Sequence, residues 1–256
     1  MTLRAENLSL RYHNHIVIND LAIEMKRGDM TTILGPNGCG KSTFLKALAR
    51  LVKPLNGRVT LNGRDIHALN SQSLTREMAI LPQTPLAPDG ITVGDLVKRG
   101  RTPWRGFLSP WSEEDSQACR NALDAVGLAD MADCPMQELS DGQRQRVWIA
   151  LVLAQNAPLL LLDEPTTYLD LVHQIDVLNL FHKRNVDDGL TVISVMHDIN
   201  LAARLSDTLI LQGQYGLVAA GTPEEVITPE NLEMSFGLES QVIPDPVTGR
   251  PMVVPL

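Results

Sequence analysis

Apolar positions fall into short runs whose spacing changes along the chain. Residues 3–34 alternate and turn in a strand-rich way, ending in the apolar stretch MTTIL (30–34), which predicts a strand. A glycine-rich segment, GPNGCGKST (35–43), comes next. FLKALARLV (44–52) then carries apolar residues at helical spacing, and PLNG (54–57) closes the unit. GRVTLNG (57–63) predicts a strand between turns. A short polar-to-helical piece leads to EMAILPQ (77–83), another core strand.

From about 84 to 150 the texture changes. TPLAPDGITV (84–93) is rich in turn residues, and DLVKRGR (95–101) reads as part of a helix. TPWRGFLSPWSEED (102–115) reads as a loop holding Trp104, Phe107 and Trp111, a group that either packs the subdomain or faces a partner. Ser112 ahead of Glu113, Glu114 and Asp115 predicts a helix start. ACRNALDAVGL (118–128) and GQRQRVWIALVLAQN (142–156) read as helices. Core texture resumes at PLLLLDEPT (158–166), followed by a helix over roughly 170–185. LTVISVMHD (190–198) predicts a strand with polar residues at its carboxyl end, INLAARLS (199–206) a helix, and DTLILQ (207–212) a strand-like alternation. TPEEVI (222–227) and TPENLEMSFG (228–237) are helix starts led by Thr-Pro, and 244–256 is turn and short strand. The pattern predicts one α/β domain spanning 1–256. Its core is 1–85 plus 151–256, and an α-helical subdomain, 86–150, is inserted into it.

GPNGCGKST fits the phosphate-binding pattern GxxxxGK[ST]. Its glycines let backbone N–H groups curl around a triphosphate, and Lys41 adds a point charge for the β and γ phosphates. Ser42 offers a hydroxyl to Mg²⁺, and the following helix points its positive end at the anion. LLLLDEPT (159–166) delivers Asp163 to a strand end, to hold Mg²⁺, with Glu164 beside it to polarise an attacking water. Gln83 ends one apolar strand, in reach of metal or water, and His197 ends another, placed for a γ-phosphate contact. LSDGQRQR (139–146) sets a Ser and a Gly at a helix amino terminus, a second anion-binding surface. One loop already covers the triphosphate in cis, so Ser140 is expected to face the nucleotide of a second copy. Tyr12 is open to adenine stacking or to simple packing.

Composition narrows the function classes. The net charge is −8, from 22 Lys+Arg against 30 Asp+Glu, and aromatics are 4%, which argues against nucleic acid as the main partner. No uninterrupted run of about 18 apolar residues offers a membrane span. MTLRAENLSLRY lacks the apolar region of a secretory signal. Cys39, Cys119 and Cys134 have neither metal-like nor CxxC spacing, which suits a reducing compartment. A kinase or GTPase would need an acceptor site or guanine-reading motif, and LSDGQ would go unexplained.

These motifs, in this order, resemble the ATP-binding cassette (ABC) transporter ATPases, and the likeness covers essentially the whole chain. GPNGCGKST matches the Walker A motif and LLLLDEPT the Walker B. LPQ (81–83) carries the Q-loop glutamine, Gln83; LSDGQ (139–143) matches the signature; TYLD (167–170) matches the D-loop with Asp170; and MHD (196–198) matches the switch histidine, His197. Tyr12 falls where the family has an adenine-stacking aromatic. The resemblance implies a P-loop ATPase core of ABC type with ATP and Mg²⁺ as cofactors. Nucleotide would be bound by Tyr12, by Gly35, Pro36, Asn37, Gly38, Cys39, Gly40, Lys41, Ser42 and Thr43, and by Ser140, Gly142 and Gln143. Metal would sit at Ser42, Gln83 and Asp163, and catalysis would fall to Glu164, His197, Gln83 and Asp170. The implied partners are a second copy across a shared ATP, two membrane permease subunits and, indirectly, a periplasmic or surface substrate-binding protein. The implied location is the cytoplasmic face of the bacterial inner membrane.

Within the family, VKRGRTPW (97–104), TTYLDLVHQIDVLNL (166–180), VMHDINLAARLSD (195–207) and GTPEEVITPE (221–230) are similar to importer ATPases for ferric siderophores, vitamin B12 and haem. The tail, PDPVTGRPMVVPL (244–256), resembles those of the iron(III) dicitrate and ferric enterobactin importer subunits, the ferric citrate one being nearest. Soluble cassette ATPases acting on DNA or ribosomes usually carry long insertions or two cassettes. One position departs from the pattern: Asp141 replaces the first glycine of the usual LSGGQ. Its carboxylate repels ATP if it points inward and supports the helix amino terminus if it points away.

Overall fold

Three strands, β3 (Met30–Leu34), β7 (Leu159–Asp163) and β8 (Thr191–Val195), are buried at every position. Continuous apolar runs of this kind belong to a parallel sheet covered on both faces. A computed structural model describes residues 2–12, 15–106, 109–214 and 216–256. The three strands lie in a six-stranded sheet of order β10-β9-β3-β8-β7-β6, with β6 (Met78–Leu81), β9 (Thr208–Gly213) and β10 (Gly216–Gly221). All its pairings are parallel except β9 with β10. The register sets Leu81 beside Leu162, and both Ile33 and Asp163 beside Val195. The chain therefore leaves four strands at one edge, toward Gly35, Gln83, Glu164 and His197.

A four-stranded antiparallel sheet, order β2-β1-β4-β5, packs beside it, formed by β1 (Thr2–Tyr12), β2 (His15–Lys26), β4 (Asn56–Leu61) and β5 (Arg64–Asp65). Leu3, Leu8 and Leu10 of β1 share a core with Phe44, Leu45 and Leu48 of α1 (Lys41–Leu48) and with Leu159 and Ile193. The sequence suggests a helix at 44–52, but α1 starts at Lys41 and stops at Leu48. Arg50 takes φ 62° and donates to the carbonyls of Ile66 (3.1 Å) and Leu69 (2.6 Å), so a tertiary contact ends the helix early. Helix α2 (Ser71–Glu77), capped by Asn70, feeds β6.

The inserted segment holds α3 (Val93–Lys98), α4 (Glu113–Ala125) and the front of α5 (Asp141–Gln155). Helix α5 runs unbroken through position 150, where the sequence suggests a boundary. Its last residue, Gln155, donates to the carbonyls of Thr75 (2.6 Å) and Met78 (3.0 Å) beside β6. The expected helix at 95–101 tightens after Lys98 into a 3₁₀ turn, Arg99–Trp104, which contains Pro103. Ser112 and Asp115 form a capping box for α4, and buried Asp115 also accepts from buried Arg101 at 2.9 Å. Trp104 donates to the Gln155 carbonyl at 2.5 Å and lies against the Arg76 and Arg101 guanidiniums, while Trp111 donates to Ser116 at 2.7 Å. Both tryptophans thus make packing contacts within the chain. Phe107 lies outside the described residues.

Helix α6 (Leu171–Asp188) ends at Gly189, whose φ of 66° suits a left-handed cap. Helix α7 (Ile199–Leu205) follows β8. Helices α8 (Pro223–Val226) and α9 (Pro229–Phe236) begin with the expected Thr-Pro pairs. Strands β11 (Ser240–Pro244) and β12 (Pro251–Pro255) form a hairpin, clipped to α7 by Asn200, which exchanges hydrogen bonds with the Val253 backbone (3.2 and 2.8 Å). Among the described residues no helix is long and apolar enough to cross a membrane.

Candidate nucleotide-binding and active site

The glycine loop between β3 and α1 is shaped by close approaches. A Cβ on Gly35 (φ 150°) would lie 2.4 Å from the Gln212 carbonyl oxygen, and one on Gly40 (φ 104°) would lie 2.9 Å from Val17 Cβ. Only glycine fits both places. The buried Lys41 side chain donates to the carbonyls of Gly35 (2.8 Å) and Pro36 (2.9 Å), which holds its ammonium inside the loop. Helix α1 has no side-chain cap and no acid in its first turn, so its free N–H groups and positive end remain for an anion.

Asp163 ends β7 fully buried. Its Oδ1 accepts from Ser42 Oγ at 2.8 Å, and its buried Oδ2 has no hydrogen-bond partner. Burial pushes this carboxyl above its ordinary value, and the Glu164 charge adds to that. The Ser42 hydrogen bond and the Lys46 and Lys41 charges oppose it without prevailing. An orphaned carboxylate oxygen beside a serine hydroxyl fits a hard divalent cation such as Mg²⁺, which would complete the coordination that the protein leaves open.

Glu164 sits at φ 54°, in the left-handed region that a non-glycine residue rarely occupies, and its N–H donates to Val195 O at 3.1 Å. Its Oε1 meets His197 Nε2 at 2.7 Å and its Oε2 accepts from Thr167 at 3.2 Å. Burial pushes the Glu164 carboxyl up, but hydrogen bonds from His197, Gln83 and Thr167 and the His197 charge outweigh it and hold it below its ordinary value. The carboxylate is thus kept ionised, as a group that orients or accepts a proton from water must be.

Lys41, Ser42, Gln83, Glu164 and His197 share one cleft of about 580 Å³, lined also by Tyr12, Val17, Asn37, Gly38, Gly40, Thr43 and Lys46, with buried Asp163 bonded to Ser42. The parallel register brings the motif residues together from four strand ends, and the antiparallel sheet adds Tyr12 from β1 and Val17 from β2. Pro36 and Cys39 instead line a second cavity, against Met234 and Phe236 of α9. Burial pushes the Cys39 thiol up, with Lys41 opposing, so it is not a poised thiolate. Sequence reading missed Val17, Lys46 and the contact from Thr167. Lys46 follows Ser42 by four residues, the spacing that puts two side chains on one helix face, and that signal was available.

The signature residues lie elsewhere. Ser140 caps α5, with its Oγ accepting from Gln143 N (3.2 Å) and Gln143 Oε1 accepting from Ser140 N (2.9 Å). Asp141 pairs with Arg144 along the helix surface. Gly142 packs on the D-loop, where a Cβ would lie 3.3 Å from the Tyr168 carbonyl oxygen. Asp170 caps α6, accepting from His173 N (2.9 Å) and meeting His173 Nδ1 at 2.8 Å, and these bonds hold its carboxyl below the usual range. Ser140, Gly142, Gln143 and Asp170 are not among the residues lining the cleft of their own chain.

Residues 18–167 match the model of one protein family, ABC transporter. The chain belongs to the ABC transporter ATPases. It is 45% identical to the ferric enterobactin transport ATP-binding protein FepC of Escherichia coli (strain K12), over 99% of this chain and 94% of that one. Among solved structures, a metal-chelate type ABC transporter in an inward-facing conformation superposes with a TM-score of 0.85 at 29% identity, covering 100% of this chain and 97% of that chain. The ATP-binding cassette MJ0796, dimeric in a post-hydrolysis state with ADP and Pi, superposes with a TM-score of 0.76 at 27% identity over 86% of this chain and 98% of that one. In this ABC ATPase, Lys41, Ser42, Thr43, Gln83, Glu164 and His197 line one cleft. Its signature helix begins outside that cleft.

Proposed function

We propose that this ABC ATPase drives import of a ferric chelate, iron(III) dicitrate or a siderophore, through a separate permease pair on the cytoplasmic face of the bacterial inner membrane. One observation carries the chemical half of the reading: Lys41, Ser42, Gln83, Asp163, Glu164 and His197 converge at one strand edge, with the buried Asp163 Oδ2 unpartnered. Bound Mg²⁺ would supply charge neutralisation at the phosphates, held by Ser42 and Asp163 with Gln83 nearby. Lys41 turns from the loop carbonyls to the β and γ phosphates. Glu164 orients water for in-line attack. His197 releases Glu164 and takes up charge on the product side. Tyr12 supports the adenine.

Ser140, Gly142 and Gln143 lie away from their own cleft and at a helix amino terminus, which supports two copies head to tail. Each signature then covers the other's nucleotide, and Asp170 links the two sites. Closure supplies positioning and electrostatic stabilisation that one chain lacks. The enterobactin and metal-chelate relatives support the cargo class. Vitamin B12 or haem is the alternative cargo, distinguished by the permease and binding protein that stimulate the enzyme. The test is ATP hydrolysis by the chain assembled with a ferric-citrate permease pair and its binding protein. Stimulation by loaded binding protein is expected, and its absence would move the cargo to another chelate, B12 or haem.

A further inference from the structure

One buried amide joins two halves of the machinery that the motifs leave separate. Gln145, on α5 five residues after Ser140, is 4% exposed, and its Nε2 donates to the carbonyl of Pro165 at 3.0 Å. Pro165 directly follows Glu164. The signature helix is thereby bonded, inside one chain, to the turn that carries the water-orienting carboxylate. The contact is reinforced on either side. Gly142 packs on Tyr168 and Leu169, and Gln174 of α6 donates to Leu169 O at 2.8 Å. The far end of α5 is fixed by Gln155 beside β6, so displacement of its amino end falls on the bond to Pro165.

Backbone mechanics give that bond leverage. Proline has φ locked by its ring, so a pull on the Pro165 carbonyl is absorbed by one soft dihedral or passed back to Glu164. Glu164 occupies a narrow left-handed well, and its carboxylate is held by His197, Gln83 and Thr167. Small rotations there re-aim the carboxylate rather than being dissipated. We propose that Gln145 is a positioning residue that couples the signature helix, which engages the partner copy's nucleotide, to Glu164 of its own site. This rests on the two-copy reading above. It adds a defined route, through one hydrogen bond, by which engagement of one nucleotide sets the carboxylate facing the other.

The test compares full-length wild type, Gln145→Met and Gln145→Glu in steady-state ATP hydrolysis, with kcat, KM and the Hill coefficient resolved and thermal unfolding as a control on folding. Gln145→Met keeps the volume and removes the donor. Its kcat is expected to fall at least tenfold with KM within about threefold, and its Hill coefficient to drop toward one. Gln145→Glu presents an oxygen that donates only when protonated, so its kcat relative to wild type should rise as pH falls from about 8 to 6, burial having raised that carboxyl. This arm decides the matter if the Met variant does not fold. Both variants retaining wild-type kcat and cooperativity would overturn the inference while leaving the two-copy reading intact. Wild type that hydrolyses ATP without cooperativity would overturn the two-copy reading and this inference with it.

Discussion

Asp141 stands where the family pattern has glycine, and its effect follows from where the side chain lies. The carboxylate is 68% exposed and paired with Arg144, itself 38% exposed, along the helix surface. Replacement by glycine removes an exposed ion pair worth about 0–1 kcal/mol. It also removes an acid at a helix amino terminus worth about 0.3–1 kcal/mol, and adds a helix-propensity cost of about 0.3 kcal/mol, the difference between Asp and Gly. Asp141→Gly should therefore destabilise the chain by about 1–2 kcal/mol, read from urea unfolding midpoints. The effect on nucleotide is smaller. In water, unit charges about 8 Å apart interact by about 0.5 kcal/mol, and the Arg144 charge cancels part of that, so KM for ATP should change by less than about threefold. Arg144→Met uncovers the carboxylate and should raise KM about two- to fivefold, and adding Asp141→Asn should restore it. A tenfold or greater gain in kcat/KM for Asp141→Gly would instead mean that the carboxylate faces the phosphates unscreened.

Arg101→Met should destabilise by about 3–5 kcal/mol in urea unfolding, because it strands Asp115 as a buried charge without its partner. Burial raises the Asp115 carboxyl, but hydrogen bonds from Arg101 and Ser112 and the Arg101 charge leave it lowered. Its contribution to stability is therefore full above the unfolded carboxylate value near pH 4 and is lost as pH falls through the lower folded value, visible as a steepening decline of the wild-type urea midpoint below about pH 4. Gly35→Ala should cost about 1–3 kcal/mol and abolish nucleotide binding measured by fluorescent ATP analogue, since its Cβ would meet the Gln212 carbonyl at 2.4 Å. Ser140→Arg should bind ATP normally as a single chain yet lose hydrolysis at least a hundredfold in a coupled-enzyme assay, because the obstruction lies in the shared site.

Most of the cleft was legible in the sequence because Lys41, Ser42, Gln83, Glu164 and His197 sit at strand ends or beside the glycine loop. Asp163 closes a buried apolar run, and four parallel strands in register carry their ends to one place. What was not legible depends on partners distant in sequence. The Gln145 bond to Pro165, the Arg101–Asp115 pair and the Asn200 clip on β12 leave no periodicity behind, because one polar side chain inside a helix looks alike whether it is solvated or buried. The early stop of α1 has the same origin. FLKALARLV is helical by spacing, whereas the bonds that hold Arg50 outside the helix, to the carbonyls of Ile66 and Leu69 and to Ser71, come from residues beyond it. The logic of two anion sites predicts a signature away from its own cleft, and the fold places Ser140, exposed, at the amino end of α5.

On this reading two copies close on ATP, and Glu164 then orients the water. The direct measurement is the molar mass of Glu164→Gln by light scattering with Mg-ATP, alongside its hydrolysis rate. An ATP-dependent dimer and at least a hundredfold loss of hydrolysis, the scale of a lost general base, are expected. Hydrolysis at the wild-type rate, or a chain that stays monomeric with ATP bound, would contradict this reading.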